Sequence, residues 1–96
     1  MKLTTITKRL GKFEEVQNIK TRGGNKAPNQ FILYFEFGSI FQSYRSPIAI
    51  KYKDKTYLTE DWNYSRTTSR YRTWYLNEST QETRNKINNG TYKILS

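Results

Sequence analysis

The chain has 96 residues, enough for one small domain, and its 17 lysines and arginines against 8 acids leave a net charge of +9. It contains no cysteine and no histidine, which excludes disulfides, thiolate zinc sites and the commonest general base. We expect a single domain over residues 1–96 that needs no cofactor or metal, and a polyanion as the partner that this charge attracts.

The first 22 residues carry two conflicting patterns. Leu3, Ile6 and Leu10 follow helical spacing, whereas the β-branched run from Thr4 to Thr7 favours an extended chain. We interpret residues 3–9 and 13–20 as strands. No apolar run has the length of a signal peptide or of a membrane helix, so we expect a soluble protein of the cytoplasm with no membrane partner.

The middle of the chain predicts an antiparallel meander. Residues 22–29 are typical of a loop because they combine paired glycines with Asn and Pro. Apolar residues alternate from Phe31 to Phe37, and Gly38-Ser39 is a turn pair from which residues 40–44 return as the second strand of a hairpin.

A second pair of strands follows. Ile48, Ile50 and Tyr52 alternate as in a half-buried strand, and residues 56–59 form its partner after a turn at 53–55.

After Trp62 the spacing becomes helical. Thr67 or Thr68 can cap a helix that runs to about Asn77, with an aromatic face of Tyr71, Trp74 and Tyr75. A capping box of Ser79 and Glu82 predicts a second helix that stops near Gly90, and residues 92–95 resemble a final short strand. Because strands precede helices, the fold class is α+β: an antiparallel sheet of about four to five strands with two C-terminal helices packed on one face.

The stretch from Trp62 to Tyr75 is the strongest candidate binding segment. It contains three arginines, five aromatic residues and no acid, and arginine grips phosphate in a bidentate fashion. We expect its aromatic face to pack on the sheet and its arginines to contact nucleic-acid phosphate from solvent: Arg66, Arg70 and Arg72. The alternative is an ordinary amphipathic helix whose arginines form a solvated face.

Two further basic clusters extend this predicted surface. Lys20, Arg22 and Lys26 surround the Gly23-Gly24 pair, where backbone amides can approach a phosphate, although a flexible hairpin connection is the simpler explanation. Lys51 and Lys53 are predicted to share a strand face, where lysines also protect an exposed strand edge from pairing.

Catalysis has little support in the sequence. The eight acids form no metal or nucleophile motif, and the adjacent Glu60 and Asp61 point apart on an extended chain. We therefore predict a protein that is not an enzyme. The enzymatic alternative is a small basic ribonuclease toxin, since the chain resembles the RelE/ParE toxin class in size and charge only.

A motif W-x-Y-S-x-T-T spans residues 62–68, and further matching positions continue to Tyr92. The C-terminal half containing it resembles a family of small uncharacterised proteins from phages and other mobile elements of bacteria. The resemblance implies a phage-type context and a location in the cytoplasm of a bacterial host.

The sequence leaves two partner classes open. The leading hypothesis is a non-catalytic protein, monomeric or homodimeric, that binds the backbone of DNA or RNA. The alternative is a phage counter-defence or host-takeover protein that inhibits a host defence or transcription complex by direct binding. Its anchors would be the aromatic residues of the same segment: Trp62, Tyr64, Tyr71 and Trp74.

Overall fold

A computed structural model describes residues 1–96 as three helices and one six-stranded sheet. In chain order the elements are α1 (Leu3–Arg9), β1 (Phe13–Lys20), β2 (Lys26–Phe35), β3 (Gly38–Ser43), β4 (Ser46–Tyr52), β5 (Lys55–Thr59), α2 (Arg66–Leu76), α3 (Thr80–Asn88) and β6 (Lys93–Leu95). The strands lie side by side in sequence order, antiparallel from β1 to β5, and β6 runs parallel to β5. The predicted α+β class, the meander and the two C-terminal helices are confirmed, with one strand more than expected.

The first element corrects a sequence interpretation, because residues 3–9 form helix α1 and not a strand. Its Ile6 is fully buried, and so is Leu10, which directly follows the helix. Burying these residues on one side outweighs the helix-disfavouring threonines, whose cost is a few tenths of a kcal/mol each. Residues 13–20 are a strand, as predicted.

The β1–β2 hairpin is tighter than the predicted loop over residues 22–29. Strand β2 already begins at Lys26, and the register against β1 is irregular between Asn18 and Lys20. Pro28 is tolerated in this irregular stretch because the regular ladder is interrupted there. The Asn18 amide bridges the stretch by donating to the Ala27 oxygen at 2.8 Å and to the Gln30 oxygen at 2.9 Å.

The β2–β3 turn lies two residues earlier than predicted, at residues 36–37. Gly38 belongs to β3, where it pairs with Phe35 on one side and Tyr52 on the other. A Cβ atom at Gly38 would lie 2.0 Å from the Lys51 carbonyl oxygen, so close backbone approach explains this glycine better than a turn does.

Both faces of the sheet carry a core cluster. The cluster beneath α2 and α3 contains Phe41, Leu58 and Tyr75, and the cluster beneath α1 contains Ile6, Ile50 and Leu95.

Strand β4 contributes to both clusters through a bulge. The register against β3 shifts where Phe41 pairs with Ala49 and Gln42 pairs with Pro47, so Ile48 is the extra residue. Ile48 therefore joins the cluster beneath α2 and α3, whereas Ile50 joins the one beneath α1. The sequence predicted that Ile48 and Ile50 lie on the same face of β4, and the bulge makes this prediction wrong.

The helices are short. The longest, α2, has 11 residues, and none of the three is long and apolar enough to cross a membrane.

Candidate nucleic-acid interface

Helix α2 starts two to three residues earlier than its predicted caps, Thr67 or Thr68. Ser65 is the N-cap, and its Oγ accepts a hydrogen bond from the Thr68 backbone N–H at 3.1 Å. The Thr68 hydroxyl lies 2.9 Å from the Ser43 hydroxyl, which ties the first turn to β3. Within the W-x-Y-S-x-T-T motif, Ser65 and Thr68 thus fix where α2 begins and how it docks on the sheet. The capping box predicted for α3 is confirmed, with Ser79 and Glu82 bonded reciprocally.

Arg72 corrects a predicted phosphate contact, because its side chain is fully buried. Its guanidinium donates to the Trp62 carbonyl, to Asn63 Oδ1 at 3.3 Å and to Thr80 Oγ1 at 2.7 Å, and it lies 4.9 Å from the centroid of the Trp62 ring. Burial lowers the pKa of Arg72, with Glu78 acting in the opposite direction. The arginine joins the 62–65 segment, α2 and α3, and it has no surface to offer a ligand.

The burial of Arg72 follows from the rotation of α2 about its axis. The helix buries Thr68, Arg72 and Tyr75, which succeed one another at helical spacing. Of the predicted aromatic face only Tyr75 is buried; Tyr71 is half-buried, and Trp74 keeps 61% of its surface in solvent. Arg66 and Arg70 are exposed, as predicted.

The exposed side of α2 faces the tip of the β1–β2 hairpin across a cleft of about 820 Å³. The hairpin contributes Lys20 and Arg22, and α2 contributes Arg70; the remaining lining residues are Thr21, Gly23, Tyr71 and Trp74. Two predicted binding segments that lie far apart in the sequence therefore form the two walls of one cleft.

Two further cavities continue the cleft along α2. A cavity of about 510 Å³ shares Arg70 with the cleft and has no hydrophobic lining residue; its other lining residues are Asn63, Ser65, Arg66, Ser69, Thr73 and Thr80. A cavity of about 450 Å³ shares Trp74, and is also lined by Ile32, Tyr34, Ser39, Lys51, Tyr75 and Asn77. We call these three adjoining cavities the α2 groove.

The charges of the α2 groove are not compensated by acids. None of the eight carboxylates lines it. The single ion pair of the protein lies elsewhere, between Lys86 Nζ and Glu78 Oε1 at 2.8 Å. Desolvation tends to raise the pKa of Glu78, but hydrogen bonds from Lys86, Thr83 and Tyr92 outweigh it and hold that pKa below its usual range. The groove cations are therefore free to bind an anionic ligand.

Comparison with known proteins identifies the family. Residues 1–90 match a sequence family described as a family of unknown function, DUF8033. The chain belongs to the DUF8033 family. No curated protein and no solved structure matches it.

In this DUF8033 protein Lys51 closes one end of the groove. Its Nζ donates to the Tyr75 carbonyl oxygen at 2.8 Å and lies 4.3 Å from the centroid of the Tyr75 ring. Burial of the ammonium group lowers the pKa of Lys51. Burial likewise raises the pKa of Tyr75 to about 12, although the Ser39 hydroxyl at 2.6 Å acts against this shift. Lys51 thus anchors the end of α2 as well as adding charge.

The remaining predicted cations divide between the two ends of the sheet. Lys26 pairs with Lys20 across the hairpin and is exposed, so it extends the charge of that tip. Lys53 does not share a strand face with Lys51, because β4 ends at Tyr52 and Lys53 lies in the following turn. Its Nζ lies 5.4 Å from the centroid of the Tyr52 ring, which packs against the cluster beneath α1, so Lys53 is outside the groove.

The four predicted aromatic anchors of this DUF8033 protein also have different environments. Trp62 is half-buried, with the Arg72 and Arg84 guanidinium groups 4.9 and 5.3 Å from its ring centroid. Tyr64 is exposed outside the groove, whereas Tyr71 and Trp74 line it.

Sequence reasoning did not identify the polar residues of the second cavity, such as Asn63 and Thr80. The many hydroxyl and amide side chains near Arg66 were the feature of the sequence that could have pointed to them.

Proposed function

We propose that this protein binds nucleic acid without cleaving it, and that it holds the phosphate backbone in the α2 groove. The observation that carries this proposal is the joining of Lys20, Arg22 and Arg70 around one cleft that no carboxylate lines. Guanidinium groups bind phosphate through paired hydrogen bonds, and the hydroxyls of the second cavity add neutral donors beside Arg66 and Arg70. Recognition would depend mainly on the backbone.

The proposal includes a cellular location, the cytoplasm of a bacterial host. The resemblance of the C-terminal half to small proteins of phages and mobile elements supports action in the cytoplasm of a bacterial host. A protein of this charge there meets abundant DNA and RNA, so weak binding to both is expected before any selectivity.

The test measures the affinity of the purified protein for labelled DNA and RNA by fluorescence anisotropy over a salt series. Affinity should fall steeply with salt. Arg66→Ala/Arg70→Ala should make the slope of log affinity against log salt shallower by about 1.4–1.8, if each arginine contacts one phosphate. The RNA should be recovered uncut, and cleavage would favour the ribonuclease alternative.

The matched control is Arg9→Ala/Lys55→Ala. It removes the same charge from two exposed residues that do not line the groove. Its slope should stay near that of the unmodified protein. If both double variants lose affinity equally, the groove is not the binding site; if nothing binds at low salt, nucleic acid is not the partner.

A second candidate function is favoured by the exposure of Trp74 beside Arg70. Trp, Tyr and Arg are the residues that most often dominate protein–protein interfaces. If nucleic-acid binding fails, we propose direct binding to a host defence or transcription complex through this side of α2.

A further inference from the structure

Trp74 is the most solvent-exposed large apolar side chain of the protein, at 61%. The chain is short, and its other tryptophan is packed against the core. Trp74 also occupies a defined position, since it is the residue shared by the cleft and the third cavity. An indole face therefore stands in the wall of a basic groove.

The side chains around Trp74 are complementary to a nucleotide, because cations that can bind its phosphate lie beside aromatic rings that can stack on its base. Arg70 and Trp74 are four residues apart on α2, which places a cation and an aromatic ring on the same helix face at an axial separation of about 6 Å. Lys20 and Arg22 stand on the opposite wall of the cleft, and Tyr71 adds a second, half-buried ring to the lining. Phosphate and base can thus be bound side by side.

Among nucleic-acid ligands, an aromatic ring in such a groove favours one with unpaired bases. In a duplex the bases are stacked on one another and paired, so a protein reaches their edges and the phosphates but not their faces. In a single strand every base has a free face, which stacks on aromatic side chains with little regard to sequence. Extended chains of this kind are held in positively charged grooves that follow the backbone.

We infer that the α2 groove takes single-stranded nucleic acid, with an unpaired base stacked on Trp74 and the flanking phosphates held by Arg70, Lys20 and Arg22. This inference rests on the proposed function and narrows its ligand to an unpaired strand. Arg66 and the hydroxyls of the second cavity continue the track for the backbone beyond Arg70.

The test compares oligo-dT, oligo-U and a duplex of equal length, at one low salt concentration, with Trp74→Ala and Trp74→Phe. Trp74→Ala should weaken binding of both single strands by about 5- to 150-fold, and Trp74→Phe should retain most of it because phenylalanine still offers a ring. Duplex binding should change by less than about twofold. Tryptophan fluorescence should be quenched on binding of a single strand, and this quenching should be lost in Trp74→Phe.

The matched control is Phe37→Ala. Phe37 has a similar exposure of 52%, but it lies in the β2–β3 turn and lines none of the three cavities. Its affinity for all three ligands should match that of the unmodified protein, and circular dichroism should show that every variant is folded.

The outcomes separate the inference from the proposed function. Equal binding of duplex and single strands, with no effect of Trp74→Ala and no quenching, overturns the single-strand inference while phosphate binding in the groove stands. Failure of all three ligands to bind overturns the proposed function itself. If Trp74→Ala does not fold, the fluorescence decides: quenching that is present in the unmodified protein and lost in Trp74→Phe supports stacking on Trp74, and quenching that is absent or persists in Trp74→Phe overturns it.

Discussion

Arg70 and Arg72 are the same residue type on the same helix, and they have opposite roles. Arg70 is exposed in the α2 groove, whereas Arg72 is buried and donates to Trp62, Asn63 and Thr80. A buried guanidinium is tolerated only when acceptors surround it, and here they come from a loop and from the next helix. The two side chains differ in exposure because two residues along an α-helix correspond to more than half a turn, so positions 70 and 72 lie on opposite sides of α2.

This contrast predicts unequal stability effects from identical substitutions. Arg72→Ala should lower the free energy of unfolding by about 2–4 kcal/mol, because it leaves a void in place of a fully buried side chain and removes its hydrogen bonds to Trp62, Asn63 and Thr80. Arg70→Ala should change that free energy by less than about 0.5 kcal/mol. Urea unfolding followed by circular dichroism measures both, and equal effects would contradict the structural role given to Arg72.

The prediction for Arg72 was wrong because its hydrogen-bond partners could not be recognised in the sequence. Periodicity correctly put Arg66 and Arg70 on one side of α2 and Tyr75 on the other. It could not show that Trp62 and Thr80 converge on position 72, because those contacts depend on tertiary structure. An arginine among aromatic residues was therefore assigned to solvent.

At the level of elements, strong local signals predicted structure and weak ones did not. The Ser79–Glu82 capping box located α3, and the alternation after Phe31 located β2. Helix α1 was missed because its threonines favour a strand although its apolar residues follow helical spacing, and only packing on the sheet decides between the two. The bulge at Ile48 was invisible because a bulge depends on the partner strand.

The start of α2 provides a prediction in which stability and binding respond differently. Ser65 caps the helix and also lines the second cavity of the α2 groove. Ser65→Ala should cost about 1 kcal/mol of unfolding free energy, whereas Ser65→Asp should cost little because aspartate is an equally good N-cap.

In the binding assay the two Ser65 variants should rank in the opposite order. Ser65→Asp places a carboxylate beside Arg66 and Arg70, so it should weaken nucleic-acid binding more than Ser65→Ala does. Thermal unfolding and anisotropy on the same two variants provide the comparison. If Ser65→Asp binds as tightly as the unmodified protein, the second cavity does not contact phosphate.

At the level of the whole molecule, the charge count was readable from the sequence but its distribution was not. The sequence places the Lys20–Lys26 loop and the 66–72 segment 40 residues apart at their nearest ends. The meander sets β1 at the sheet edge, and α2 returns over the sheet so that the β1–β2 hairpin tip meets Arg70. The two segments are brought together by the order of strands and helices in the fold, which the pattern of charges along the sequence does not reveal.

The excess charge also predicts how salt acts on the folded state. With one ion pair and a net charge of +9, the folded chain repels itself. Raising sodium chloride should therefore increase the melting temperature, by about 4–8 °C for each kcal/mol gained, while it weakens nucleic-acid binding.

The control for this effect lowers the charge by substitution. Arg9→Glu/Lys55→Glu reduces the net charge by four without touching the groove, and its melting temperature should depend less on salt. Differential scanning calorimetry makes the measurement. A melting temperature that falls or stays flat with salt in the unmodified protein would show that self-repulsion is not significant.

The cluster beneath α1 joins the two ends of the chain. Ile6 and Leu10 pack there with Leu95, and the Leu3 backbone N–H donates to the Ser96 oxygen at 3.0 Å. A helix of seven residues does not hold its shape alone. During synthesis, its docking surface remains incomplete until Leu95 has left the ribosome. Helix α1 therefore becomes fully ordered only once strand β6, far downstream in the chain, is in place beside it.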